Sequence, residues 1–220
     1  MIDRQSSRSI DSLRVACCAI VVASHVYEFA TGRLDNPWNE VISYLAVAVF
    51  FFLSGYVNQI SYSEKPGYGS FLAARAKRLL PVYYAAAGVS LALAAGFGVM
   101  HQTDWLNLVF FQSIVVPTIQ TNGPLWSLAW EMVLYLCFPL VLGAIMRPLI
   151  YAPALLGLLI LFQHHQILLI AFLAGVAAAH YGFKFPRFVL IPSAGRWTYE
   201  IYCCHYPLLF LAFSLPALLP

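Results

Sequence analysis

From Val41 to Ile60 the chain runs through twenty residues without one charged side chain. A stretch of about that length crosses the hydrocarbon core of a bilayer as a helix. Comparable apolar runs recur at Leu13–Ala30, Pro81–Met100, Leu128–Met146, Leu149–Phe162, Ile167–Tyr181 and Thr198–Leu219. Together they make 61% of the 220 residues hydrophobic and leave 10% charged. An ordinary soluble domain is about 45–50% apolar and about 25% charged. A globule of this size has too little interior to hide so much apolar surface. The pattern excludes a cytosolic enzyme, a disordered chain and a disulfide scaffold. It predicts a single all-α domain over residues 1–220, a polytopic transmembrane helix bundle of about seven spans, within a range of about 6–8.

Basic residues set the orientation. Arg4 and Arg8 at the start, and Lys65, Arg75, Lys77 and Arg78 in the polar stretch Ser61–Arg78, which reads as a loop, are expected in the cytoplasm with two spans between them. Pro81 is expected in the first turn of the next helix. Trp105–Pro117 is short for a span and reads as a re-entrant or interfacial segment. On that reading Arg147, Lys184, Arg187 and Arg196 fall on the cytoplasmic side as well. The five cysteines, Cys17, Cys18, Cys137, Cys203 and Cys204, lie inside apolar stretches with no CxxC spacing, so they read as small buried side chains. No metal is expected, because the adjacent His164 and His165 do not share a helical face.

The residues a bilayer should exclude carry more information. Arg14, His25, Glu28, Glu131, His180, Glu200 and His205 interrupt the apolar runs. An ionisable group near mid-membrane costs about 2.5–3.5 kcal/mol and commonly marks a site. Arg14 and His25 are eleven residues apart, close to three turns, so they share a face at an axial separation of roughly 16 Å. The plainer alternative is that Arg14 snorkels at a span end and His25 sits at the outer interface. Arg75 and Arg78, at i and i+3, share a face if helical. Two guanidiniums there match phosphate oxygens; stop-transfer charge is the alternative. Ser127, Glu131 and Tyr135 form one stripe at i, i+4 and i+8. Glu131 there suits a base, a group that orients a partner, or a structural ion pair. Thr198, Tyr202 and His205 form another stripe.

These segments resemble, in order, the motifs of the membrane-bound acyltransferase-3 family. The motifs are Leu13-Arg14 followed by His25, Phe50-Phe51-Phe52-Leu53-Ser54-Gly55-Tyr56, Arg75-x-x-Arg78-x-x-Pro81, and Leu125-Trp126-Ser127-Leu128-Ala129-Trp130-Glu131 with Tyr135. Thr198-Tyr199-x-x-Tyr202-x-x-His205 is similar to the family's C-terminal signature. Where the family often has Gly and an acidic residue before the second motif, this chain has Ala46 and Ala48. Family members usually have more helices, most of the difference falling between Glu131 and Thr198. The chain is therefore expected to be a compact member, a fragment or a degenerate copy.

The resemblance implies an O-acyltransferase in a bacterial inner membrane, with the N-terminus cytoplasmic. It would move an acyl group from acetyl-CoA or another acyl-CoA to a hydroxyl of an extracytoplasmic glycan or similar acceptor. Arg75 and Arg78 would hold the coenzyme phosphates, and Arg14 its pyrophosphate or pantetheine end. His25 would be the general base, since an imidazole titrates near neutrality. Transient acylation of His25 is a second route. Glu131 or His205 would orient His25 or bind the acceptor, and Ser127, Tyr135 and Tyr202 would complete the substrate surface. The expected partners are the lipid bilayer, the acceptor and, as a further assembly, a homo-oligomer; nucleic acid is not one. Two other classes fit the same composition: a transporter or flippase-like protein, and a non-catalytic homologue acting as an assembly subunit.

Overall fold

The computed structural model of the protein describes residues 4–33, 36–185 and 194–214. Arg187 lies outside the described residues, as do the side chains of Arg4 and Arg196. Among the described residues the chain is helical and has no β-strand. The helices are α1 (Arg4–Thr31), α2 (Pro37–Glu64), α3 (Tyr68–Gly96), α4 (Trp126–Leu136), α5 (Phe138–Met146), α6 (Pro148–Leu161), α7 (Gln166–His180) and α8 (Thr198–Ser214).

The span count differs from the seven expected. Among the described residues, three helices are long and apolar enough to cross a membrane: α1 over Ser6–Thr31, α2 and α3. A fourth is added if Gln120–Leu136 and Phe138–Met146, bent by 62° at Cys137, are counted as one broken span. Pro139 explains the bend, since a proline at the second position of α5 has no N–H to continue the α4 ladder. The helices α6 and α7, of 14 and 15 residues, fall short of a spanning length.

The polar stretch Ser61–Arg78 is not a loop. Its residues finish α2 and begin α3, and the reversal is confined to Lys65-Pro66-Gly67, where Gly67 has φ 150°. Pro81 consequently lies inside α3 rather than in its first turn. The start of α2 is held by Asn36, whose side chain accepts from the backbone N–H of Trp38 and Asn39, with Pro37 at the first helical position.

Helix α2 is the centre of the bundle and packs on α1 and α7. Two glycines allow the α2–α7 approach. A Cβ on Gly55 would meet the Phe172 carbonyl oxygen at 2.2 Å, and one on Gly175 would meet the Phe52 carbonyl oxygen at 2.0 Å. Small residues at a helix crossing let two backbones approach this closely. On the other flank α8 packs against α1 and α3.

Between α3 and α4 the segment 104–125 forms two short 3-10 helices, Asp104–Val109 and Gln120–Leu125, rather than a crossing helix. Buried side chains pin it in place. Tyr83 on α3 donates to the Asn107 carbonyl, Gln112 donates to the Tyr83 hydroxyl at 2.7 Å, and Asn122 donates to Ser90 Oγ and the Cys203 carbonyl, both at 3.0 Å. These bonds satisfy backbone and side-chain groups that irregular chain would otherwise leave bare. The segment thereby fixes where α4 begins, beside α8.

Candidate active site formed by two cavities

Helices α1, α2, α4 and α8 surround two cavities at two levels. The first, of about 280 Å³, lies toward the N-terminal half of α1. Arg14 from α1, Arg75 and Arg78 from α3, Glu131 and Tyr135 from α4, and Ser127 line it. Ser54 and Asn58 from α2 and Tyr202 from α8 complete the polar wall. The i, i+3 spacing of Arg75 and Arg78 holds because that stretch is helical, so both guanidiniums face the same space.

A continuous polar chain crosses this cavity. Arg75 Nε donates to Asn58 Oδ1 at 2.7 Å, with its guanidinium carbon 4.7 Å from the Phe71 ring centre. Asn58 donates to Ser54 Oγ at 3.3 Å. Ser54 donates to Glu131 Oε1 at 2.6 Å, and the Tyr135 hydroxyl donates to the same oxygen. Two O–H groups thus converge on one carboxylate oxygen. Among the described residues lining the cavity, Glu131 is the single acidic one beside three guanidiniums. Arg14 also pairs with Asp11 at 3.6 Å. The excess of positive charge suits a polyanion.

The second cavity, of about 490 Å³, lies toward the C-terminal end of α1. His25 and Glu28 face it, with Glu40 and Tyr44 from α2 and Trp126 from the start of α4. His25 Nδ1 is 2.8 Å from Glu28 Oε2. Asn39 donates to the other oxygen, Glu28 Oε1, at 2.9 Å and to the Ser24 carbonyl at 3.3 Å. The carboxylate is thus oriented by α2 and in turn orients the imidazole, with Nδ1 carrying the proton and Nε2 left as the basic nitrogen. The His205 ring stacks on that of His25 at 5.4 Å. His205 Nδ1 lies 3.1 and 2.9 Å from the carbonyl oxygens of Ile201 and Tyr202, so it is the N–H donor. Its Nε2 is then a buried lone pair with no hydrogen-bond partner among the described residues.

Tyr202 and Val47 line both cavities and form the partition between them. The Tyr202 hydroxyl is 2.7 Å from Ser127 Oγ, and it donates to the Pro124 carbonyl at 3.3 Å. The phenol is therefore held across the gap by the first turn of α4.

The structure gathers most of the residues singled out from sequence but sorts them differently. Arg14, Arg75, Arg78, Ser127, Glu131, Tyr135 and Tyr202 share the first cavity. His25 lines the second, with His205 stacked on it. Glu131 does not reach His25; its hydrogen bonds run to Ser54 and Tyr135. The group that orients His25 is Glu28, whose i+3 spacing on α1 was a signal available in the sequence. Ser54 and Asn58 had no such spacing signal, because Ser54 meets Glu131 only through a side-chain hydrogen bond between separate helices, and Asn58 joins it through Ser54. His164 is exposed, and His165 stacks on Trp126 at 4.9 Å.

A family model described as an acyltransferase domain matches residues 7–176. Nodulation protein 10 of Rhizobium leguminosarum bv. viciae is 24% identical over 192 residues, an alignment covering 72% of this chain and 52% of that protein. The chain thus spans about half the length of the curated relative it matches. No solved structure matches it.

Proposed function

The chain belongs to the acyltransferase-3 family, and from that premise we propose that it is a membrane acyltransferase taking acyl groups, acetyl first among them, from acyl-CoA. The acceptor is a hydroxyl of an extracytoplasmic glycan or a similar molecule. The observation that carries this reading is the pairing of two unlike cavities across one thin partition. One has three guanidiniums, and the other has a carboxylate-oriented imidazole.

The division of labour follows from the chemistry of each cavity. Arg75 and Arg78 bind phosphate oxygens of the coenzyme, and Arg14 its inner end. The loop that carries Lys65 and the first turns of α3 face the cytoplasm under the positive-inside rule, so the donor enters from there. The thioester extends past Tyr202 toward His25, along a face of α1 roughly 16 Å long. His25 Nε2 removes the proton of an acceptor hydroxyl as its oxygen attacks the thioester carbonyl carbon. The tetrahedral carbon collapses, the C–S bond breaks, and the proton returns from His25 to the departing thiolate. Glu28 stabilises the imidazolium that forms between these steps. His205 Nε2 accepts a hydrogen bond from the acceptor and fixes its approach.

The test is release of free coenzyme thiol from acetyl-CoA by purified protein in lipid nanodiscs, with and without an acceptor glycan. Wild type is expected to release thiol and His25→Ala is not, at equal thermal stability. Release by His25→Ala at the wild-type rate, or none by folded wild type with any acyl-CoA, overturns the reading.

A further inference from the structure

We propose that Tyr44 and Trp126 form the acceptor subsite of the second cavity, and that it takes an uncharged or amine-bearing sugar ring rather than an anionic one. This rests on the acyltransferase reading and names the acceptor class for that site.

The subsite is a built platform. The Tyr44 and Trp126 rings lie 6.0 Å apart and within 3° of parallel. The His165 ring stacks on both, 4.9 Å from Trp126 and 6.2 Å from Tyr44, tilted by 23° and 26°. The Tyr44 hydroxyl also lies 3.4 Å from His165 Nδ1. Three separate elements supply the rings: α2, the start of α4 and the turn before α7. Tyr44 and Trp126 are each partly exposed, and both line the cavity that contains His25.

A sugar ring has two unlike surfaces, an axial C–H face and a rim of hydroxyls. The C–H face matches the negative face of an aromatic ring. The rim needs hydrogen-bond acceptors, and Glu28, Glu40 and Ser43 line the same cavity. Glu40 is exposed at the mouth, in the first turn of α2. Among the described residues lining this cavity there is no Lys or Arg, whereas three Arg line the other. Glu28, paired with His25 at 2.8 Å, and the exposed Glu40 make the lining acidic, which disfavours a uronate or phosphate and offers acceptors to hydroxyl or ammonium groups. A lipid chain would find apolar contacts at Val41, Leu45 and Ile167 but no use for the carboxylates.

The probe set is methyl glucoside, methyl glucosaminide and methyl glucuronoside, read by saturation-transfer NMR on the protein in lipid nanodiscs at neutral pH and low salt. The glucoside and glucosaminide are expected to bind, and the glucuronoside about ten-fold more weakly. Trp126→Ala and Tyr44→Ala are each expected to weaken glucoside binding about ten-fold, Trp126→Phe much less. Glu40→Gln is expected to narrow the gap between glucoside and glucuronoside. Equal or tighter glucuronoside binding overturns the proposal. So does unchanged glucoside binding by an alanine variant that melts like wild type, or no glycoside binding at all. Binding needs no turnover, so this result and thiol release succeed or fail separately.

Discussion

His25 Nδ1 and Glu28 Oε2 lie 2.8 Å apart, one turn along α1, and Asn39 from α2 holds the far oxygen of the same carboxylate. The pair is local in sequence, but its orientation depends on a second helix. A carboxylate that fixes an imidazole acts on the chemical step and not on coenzyme binding. Glu28→Gln is therefore expected to lower kcat by about 10²-fold, within the range general-base contributions span, while KM for acyl-CoA stays unchanged. Steady-state thiol release separates the two constants. A rise in KM alone would assign Glu28 to binding.

The guanidinium cavity makes the opposite split. Each charge-assisted phosphate contact contributes about 1.5–3 kcal/mol. Arg75→Ala combined with Arg78→Ala is expected to raise KM for acyl-CoA by at least about ten-fold with a smaller change in kcat. Added salt should raise the wild-type KM and move that of the double variant much less, since the screened attraction is the one removed. An unchanged KM at equal expression would leave the pair only a role in membrane orientation.

Tyr202 stands between the cavities with its hydroxyl 2.7 Å from Ser127 Oγ. Tyr202→Ala is expected to join them and admit water to the thioester, so that thiol release continues without acceptor while acyl transfer falls. Measuring thiol and acylated acceptor in parallel gives the ratio of the two. Transfer and hydrolysis in wild-type proportion would show that the phenol is no barrier.

Ser54 joins the Arg75–Asn58 arm of the first cavity to Glu131. In Ser54→Ala, Asn58 loses an acceptor and Glu131 loses one of its two hydroxyl donors, keeping that of Tyr135. Leaving buried polar groups short of partners costs about 1–3 kcal/mol. A lower unfolding temperature in nanodiscs is the expected result, with restoration by Ser54→Thr, which keeps the hydroxyl.

Gly55 tests the fold itself. A methyl there meets the Phe172 carbonyl oxygen at 2.2 Å, and backbone cannot give way as a side-chain tip can. Gly55→Ala is expected to destabilise the α2–α7 contact by about 1–3 kcal/mol or more. Gly157, where a Cβ would meet nothing within 4 Å, serves as the control, and Gly157→Ala should melt like wild type.

Several relationships were legible because they live on one helix. Arg75 with Arg78, and Ser127 with Glu131 and Tyr135, share faces by spacing alone, and the structure keeps each group in one cavity. Arg14 and His25 are on one helix face by the same rule, yet they line different cavities, because the Tyr202 ring enters from α8 between their levels. The boundaries were harder to read. Ser61–Arg78 is polar, which suggested a loop, but polarity at a membrane surface does not forbid helix. Lys65-Pro66-Gly67 alone makes the turn.

By itself the sequence determined that this chain buries apolar helices in a membrane, and which ionisable side chains lie on a common helical face. Apolar length and 3.6-residue periodicity are local properties, so they need no knowledge of neighbours. The tertiary structure alone decided which faces meet. It gave Glu131 to Ser54 instead of His25, fixed the Glu28 carboxylate on His25 through Asn39 of α2, and set Tyr44 beside Trp126. Those pairings depend on how α1, α7 and the start of α4 are placed around α2, a matter of shape and small residues that no spacing rule along one helix contains.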